Sequence, residues 1–245
     1  MVYFSGPNVV NSAELRDLLI ADIVLSLAFA VAMSGGISAI SHSNVSVFYL
    51  LPLTFVAVSL TFVLHELMHK FVAQHYGAIA AFRTSTNGLA ITLITSFLGI
   101  LIGIPGATVI YTNSFTNRQN GIVSIAGPLT NFAIFAIFFA AGYLLIPHYL
   151  AGFSVSASNT YLENLLYFVP FISILLAFFN MLPIYPLDGS KVFHWSKPIY
   201  AVTLGVILLI FFLVYSSSGI ISIGSLITLL VFALIVSTVF RMISI

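Results

Sequence analysis

Five consecutive residues, His65-Glu66-Leu67-Met68-His69, have the types and spacing to do chemistry. On a helix, positions i and i+4 share a face. Both imidazoles can therefore point at one metal ion, and Glu66 stands where it can take a proton from a metal-bound water. Two neutral histidines and one carboxylate make a normal catalytic zinc set, with a position left open for water. The bland alternative is a packed polar cluster. Against it, these ionisable groups fall inside an apolar helix-like run, where each is costly and function is the default expectation.

A third protein ligand must come from elsewhere, and the chain holds only six Asp and Glu. Glu14, Asp17 and Asp22 lie near the start of the first apolar run, and Glu163 caps the fourth. Asp188 lies in Asn180-Met181-Leu182-Pro183-Ile184-Tyr185-Pro186-Leu187-Asp188-Gly189. The prolines break a helix and Gly189 permits a tight backbone. Broken backbone at membrane depth is tolerated only where it lines a protein cavity. A broken segment ending in aspartate is thus a candidate ligand carrier.

The elements that must position these groups are membrane spans. Apolar residues make up 60% of the chain and charged residues 5%, against a usual ~45–50% and ~25%. Seven Lys and Arg, six Asp and Glu and six His cannot solvate a globule of 245 residues, but they can serve a surface that faces lipid. Disorder and a soluble enzyme are excluded. So is a nucleic-acid partner, because a net charge of +1 offers no footprint for a polyanion. Without cysteine there is no thiolate metal site and no disulfide framework. Met1–Asn11 carries no basic residue, so the first run is expected to be a retained span rather than a cleavable signal.

Six runs approach the ~20 apolar residues that a crossing helix needs: Leu18–Ile40, Val47–Tyr76, Ile122–Ile146, Tyr161–Leu182, Ile199–Val214 and Ile220–Phe240. Asn11 with Glu14, and Thr160 with Glu163, form capping boxes before the first and the fourth. A further run, Leu89–Ile104, is about 16 residues long and bounded by Asn87-Gly88 and Pro105-Gly106, a length that suits a re-entrant segment. Two β-like stretches flank it, Ala78–Phe82 and Ala107–Thr112.

The distribution of basic residues decides its topology. If Leu89–Ile104 does not cross, Arg16, Lys70, Arg83, Arg118, Lys191, Lys197 and Arg241 all fall on one side. The opposite loops, His42–Ser46, Pro147–Thr160 and Ser216–Gly219, carry no Lys or Arg. If it does cross, the bias disappears. The same choice puts Asp188 on the side from which it can fold back to His65 and His69. The expected fold is therefore an all-α polytopic membrane protein with six transmembrane helices and both termini cytoplasmic. A small membrane-associated β/re-entrant insert lies between helices 2 and 3, over about 78–118. The chain reads as a single transmembrane domain, 1–245, with a core at about 47–195 and peripheral helices at about 12–40 and 198–243.

Three motifs, in this order, resemble the site-2 proteases, the zinc intramembrane peptidases. They are His65-Glu66-Leu67-Met68-His69, Ala126-Gly127-Pro128-Leu129-Thr130-Asn131, and Asn180 through Gly189 with its Pro-Leu-Asp-Gly ending. The resemblance covers roughly 47–195, and Pro105-Gly106-Ala107 is similar to the compact archaeal branch. It implies that His65, His69 and Asp188 ligate one Zn2+ and that Glu66 is the general base. Asn180 would contact the substrate backbone or the developing oxyanion. The implied partner is a transmembrane-helix protein substrate in a lipid bilayer, cut within or near its helix in the cell membrane. Its 245 residues are expected to work without the PDZ or CBS domain of larger members. The competing readings are a membrane metal-ion transporter, for which no inverted repeat is visible, and a catalytically inactive membrane-binding scaffold, against which the intact motif speaks.

Overall fold

A computed structural model describes residues 10–38, 46–99, 101–112, 115–151, 155–156 and 158–215. The order of elements is α1 (Ser12–Ser34), α2 (Val47–Val58), a π-helical stretch (Ser59–Val63), α3 (Leu64–His75), β1 (Ile79–Thr84), α4 (Thr86–Phe97), β2 (Gly106–Tyr111), α5 (Asn117–Leu145), α6 (Tyr161–Asn180), α7 (Asp188–Trp195) and α8 (Lys197–Tyr215). Five helices among the described residues are long and apolar enough to cross a membrane: Ser12–Ser34, Val47–His75, Asn117–Leu145, Tyr161–Asn180 and Lys197–Val214. The expected sixth run, 220–240, lies outside the described residues, as does the turn before it, 216–219.

Local chemistry sets the ends of these helices. Leu18–Ile40 was expected as the first span, but α1 starts earlier and stops at Ser34. Gly35 takes φ 102° and its N–H closes onto the Ala32 and Val31 carbonyls, so apolar composition continues past the point where the helix is capped. Its capping box is only half made. Asn11 accepts from the Glu14 N–H at 2.8 Å, but the Glu14 carboxylate turns away to Lys70 and to the Phe82 N–H. The Thr160–Glu163 box on α6 is complete, and α5 carries another, Thr116 with Gln119.

The insert between the second and third spans is re-entrant in shape. β1 and β2 pair antiparallel from Ile79 with Tyr111 to Thr84 with Gly106. The chain thus leaves the sheet and returns to the same rung. Between these points α4 has 12 residues, a rise of about 18 Å, well short of a ~30 Å hydrocarbon core. The return segment is knitted onto α4 by Thr92. Its hydroxyl lies 2.8 Å from both the Ile102 and the Gly88 carbonyls, its one hydrogen serving either, and accepts from the Ile104 N–H at 3.0 Å. These bonds satisfy extended backbone that lipid could not.

Helices in lipid associate by close packing rather than by apolar burial. One core joins α1, α2 and α6 through Leu25, Phe29, Leu53, Ala57, Phe168 and Ile172. A second joins α5, α6, α7 and α8 through Phe135, Phe178, Met181, Val192, Ile207 and Phe211. Small residues bring the helices together. A Cβ on Gly121 would stand 2.5 Å from Trp195, so α7 lies directly against α5. At one end of α1, a polar cluster ties three elements. Glu14 pairs with Lys70 of α3, both fully buried, and accepts from Phe82 of β1, while Asp17 meets Arg83 at 3.5 Å. The helix that carries the two histidines and the hairpin are thereby anchored to the first span.

Candidate metal centre

The π-helical stretch Ser59–Val63 runs directly into the histidine motif. Such a widening adds a residue to one turn and shifts the faces that follow it, and it recurs at functional sites. Downstream of it, His65 and His69 project from α3 towards α5 and α7, with relative exposures of 4% and 7%. Their Nε2 atoms are 3.0 Å apart. Asp188 Oδ2 reaches both, at 3.4 Å from His65 Nε2 and 3.0 Å from His69 Nε2. Among the described residues these are the group of His, Cys, Asp or Glu donors that could hold an ion together, all within 4.8 Å of one another.

The broken chain after α6 delivers that carboxylate. Turns at Ile184 and Leu187, each closed by a 2.8 Å backbone bond, reverse the chain and start α7 at Asp188. The carboxylate thus sits in the first turn of α7, where a helix favours negative charge. Its second oxygen, Oδ1, accepts from Lys191 Nζ at 3.3 Å. Gly189 is required by space, since a Cβ there would overlap the Met181 and Leu182 carbonyls.

One face of α5 supports the other side of the site. His69 Nδ1 lies 2.8 Å from the Val123 carbonyl, to which it donates, leaving Nε2 as the nitrogen that faces Asp188. His65 Nδ1 meets the Asn131 carboxamide, 3.2 Å from Nδ2. Between them, Gly127 leaves a hollow in which a Cβ would lie 2.5 Å from both Nε2 atoms. Val123, Gly127 and Asn131 are spaced i, i+4, i+8, so one stripe of one helix provides all three. Gly127 and Pro128 lie within α5, not at its start.

These residues fit a tetrahedral cation. Zinc bonds of ~2.0–2.2 Å set neighbouring donors about 3.3–3.5 Å apart. The observed separations of 3.0, 3.4 and 3.0 Å need only a slight opening. Two imidazoles and one carboxylate are the donor types that zinc takes in catalytic sites.

Glu66 is half-buried and tethered to the hairpin. The Thr108 N–H donates to its Oε2 at 2.9 Å. The Thr108 hydroxyl lies 2.9 Å from Oε2 and 3.0 Å from the Glu66 carbonyl, its one hydrogen serving either. Thr108 is paired across the sheet with Phe82, whose N–H points the other way to Glu14. The edge of β2 that β1 does not use is therefore turned towards α3. Asn180 ends α6 and is half-buried; its amide donates back to the Leu176 carbonyl at 3.0 Å, so the structure does not bring it into the cluster of donors. Val123 and Thr108 carried no sequence signal of their own, because they contribute a carbonyl and a backbone N–H; Gly127 stood in the second motif without a role, because what it contributes is an empty space.

Comparison with known proteins agrees with this geometry. The family model for Peptidase family M50 matches residues 53–196. A protein of Methanocaldococcus jannaschii named "Putative zinc metalloprotease MJ0611" is 34% identical over 197 residues, covering 78% of this chain and 89% of the relative. No solved structure is a significant match. With long apolar helices carrying a buried His-His-Asp donor set, this multi-pass membrane chain belongs to peptidase family M50.

Proposed function

We propose that the protein is an intramembrane zinc metalloendopeptidase that hydrolyses a peptide bond within or beside a transmembrane helix of a membrane-anchored substrate. The observation that carries this reading is the convergence of His65, His69 and Asp188, from two distant parts of the chain, next to Glu66. Zinc bound there, one ion per chain, supplies Lewis acidity that makes water acidic and polarises a carbonyl.

The chain's own residues do the rest. His65, His69 and Asp188 hold the ion. Glu66, with Oε2 fixed by Thr108, offers Oε1 as the base that takes the water's proton and delivers it to the leaving amine. Asn180 has a second amide N–H and a carbonyl oxygen for the substrate backbone or the developing oxyanion. A helical substrate hides its carbonyls and must be drawn out before attack. The edge of β2 that β1 does not use holds Glu66 at Thr108, and the rest of its length suits an added strand of substrate backbone. The proposed core is 47–195, with α1 and α8 peripheral and both termini cytoplasmic.

The test is Glu66→Gln in purified protein reconstituted with a membrane-anchored helical substrate. Zinc should remain at one per chain while cleavage is lost. Cleavage at the wild-type rate would end the assignment of Glu66 as base.

A further inference from the structure

We propose that Asn131 is a positioning residue for the cation site, its carboxamide oxygen accepting the Nδ1–H of His65 and so presenting His65 Nε2 to the ion. The inference rests on the zinc reading above and adds to it the partner that orients one ligand.

The starting point is a conflict of hydrogen-bond roles. A neutral imidazole has one N–H and one lone pair. For Nε2 of His65 to ligate, Nδ1 must carry the proton and needs an acceptor. His69 has one, the Val123 carbonyl at 2.8 Å. His65 has Asn131, whose Nδ2 lies 3.2 Å from Nδ1, while Asn131 Oδ1 is buried without a hydrogen-bond partner. Left so, the ligating tautomer would bring two donors face to face beside an unused buried acceptor.

A 180° turn of the carboxamide exchanges oxygen and nitrogen in nearly the same volume. Oδ1 then accepts from Nδ1–H. One polar group of the amide stays unpaired in either orientation, but only the turned one avoids opposed donors. Asn131 is fully buried, so water cannot take either role. Its position also matches that of the His69 support: Val123 and Asn131 flank Gly127 on the same stripe of α5, and each addresses the far nitrogen of one ligand. Supports of this kind hold the ring orientation and raise ligand basicity, and losing one typically lowers metal affinity ~10–100-fold.

The experiment measures zinc affinity by chelator competition in wild type, Asn131→Ala, Asn131→Leu and Asn131→Asp, with the absorption spectrum of the cobalt-substituted protein as a second readout. Both truncations should weaken zinc binding about 10–100-fold and alter the cobalt bands. Asn131→Asp keeps an oxygen acceptor and should bind zinc within a few-fold of wild type, with wild-type cobalt bands. A residue that merely packs there predicts the reverse, because a buried carboxylate is tolerated only where a donor pairs with it. Wild-type affinity in a truncation overturns the proposal, as does a loss in Asn131→Asp of tenfold or more, which decides the matter even if a truncation fails to fold. A wild-type chain that binds no zinc overturns the zinc reading, and this inference with it.

Discussion

Replacing Gly127 with alanine puts one methyl group where the ion has to be. The added Cβ would lie 2.5 Å from the Nε2 atoms of both His65 and His69, and 2.6 Å from His65 Cε1. Ordinary contact between such atoms is about 3.5 Å, so both rings must retreat by about 1 Å. Val123 and Asn131 hold them from the same helix that carries the new methyl, so neither ring can move freely. Metal–ligand distances tolerate only about ±0.2 Å. At least one imidazole is therefore lost as a ligand. We expect zinc affinity to fall about 100-fold or more, ~2.7 kcal/mol, and cleavage to fall with it. Helix formation is not the cause, because alanine is the better helix former by about 1 kcal/mol. Gly205→Ala on α8, where nothing lies within 4 Å of an added Cβ, is the control and should bind and cleave as wild type. The assay is chelator competition on the detergent-purified protein, followed by cleavage of a reconstituted helical substrate. One zinc per chain at wild-type affinity in Gly127→Ala would refute a site built between α3 and α5.

Three more outcomes follow from the same contacts. Asp188→Asn removes the anionic donor shared by the two imidazoles and should weaken zinc binding by more than the ~10–100-fold that a supporting residue is worth; unchanged affinity by chelator competition would point to another third ligand. Thr108→Val removes the hydroxyl beside Glu66 Oε2 but keeps the backbone N–H, so turnover should drop about tenfold, the worth of one charge-assisted bond at ~1.5 kcal/mol, with zinc stoichiometry unmoved; equal turnover would release Glu66 from the hairpin. Glu14→Gln leaves the Lys70 ammonium buried without its counter-charge and should destabilise the fold by about 3–5 kcal/mol, read as a lower midpoint in thermal unfolding with zinc present; Glu14→Gln melting as wild type would show that the pair does not anchor α1.

The parts of the site that were legible are those encoded over short distances or by scarcity. The i, i+4 spacing of His65 and His69 is a helix-face statement that needs no tertiary information. Asp188 was reachable because so few acids compete with it, and because a proline-broken end must line something. The hairpin was also legible within a residue or two: Ala78–Phe82 and Ala107–Thr112 were expected, and Ile79–Thr84 and Gly106–Tyr111 form it. Helix ends were less so. Apolar composition does not register that Gly35 has closed α1, nor that Glu14 has left its capping box for Lys70. Those outcomes are decided by tertiary partners.

What could not be read is the role of α5. The third span contributes to the site one backbone carbonyl at Val123, the absence of a side chain at Gly127, and a neutral amide at Asn131. None of these is a chemistry-bearing residue type, yet together they determine which nitrogen of each imidazole faces Asp188. The two histidines alone would leave that choice open, since either ring nitrogen can bind a metal. With both Nδ1 atoms committed to one stripe of α5, only the Nε2 atoms converge, and they do so over the hollow at Gly127. The metal-binding motif on α3 is thus an incomplete instruction. Its meaning is supplied by a neighbouring helix, and substitutions on α5 that touch no ligand should alter zinc binding as surely as substitutions of the ligands themselves.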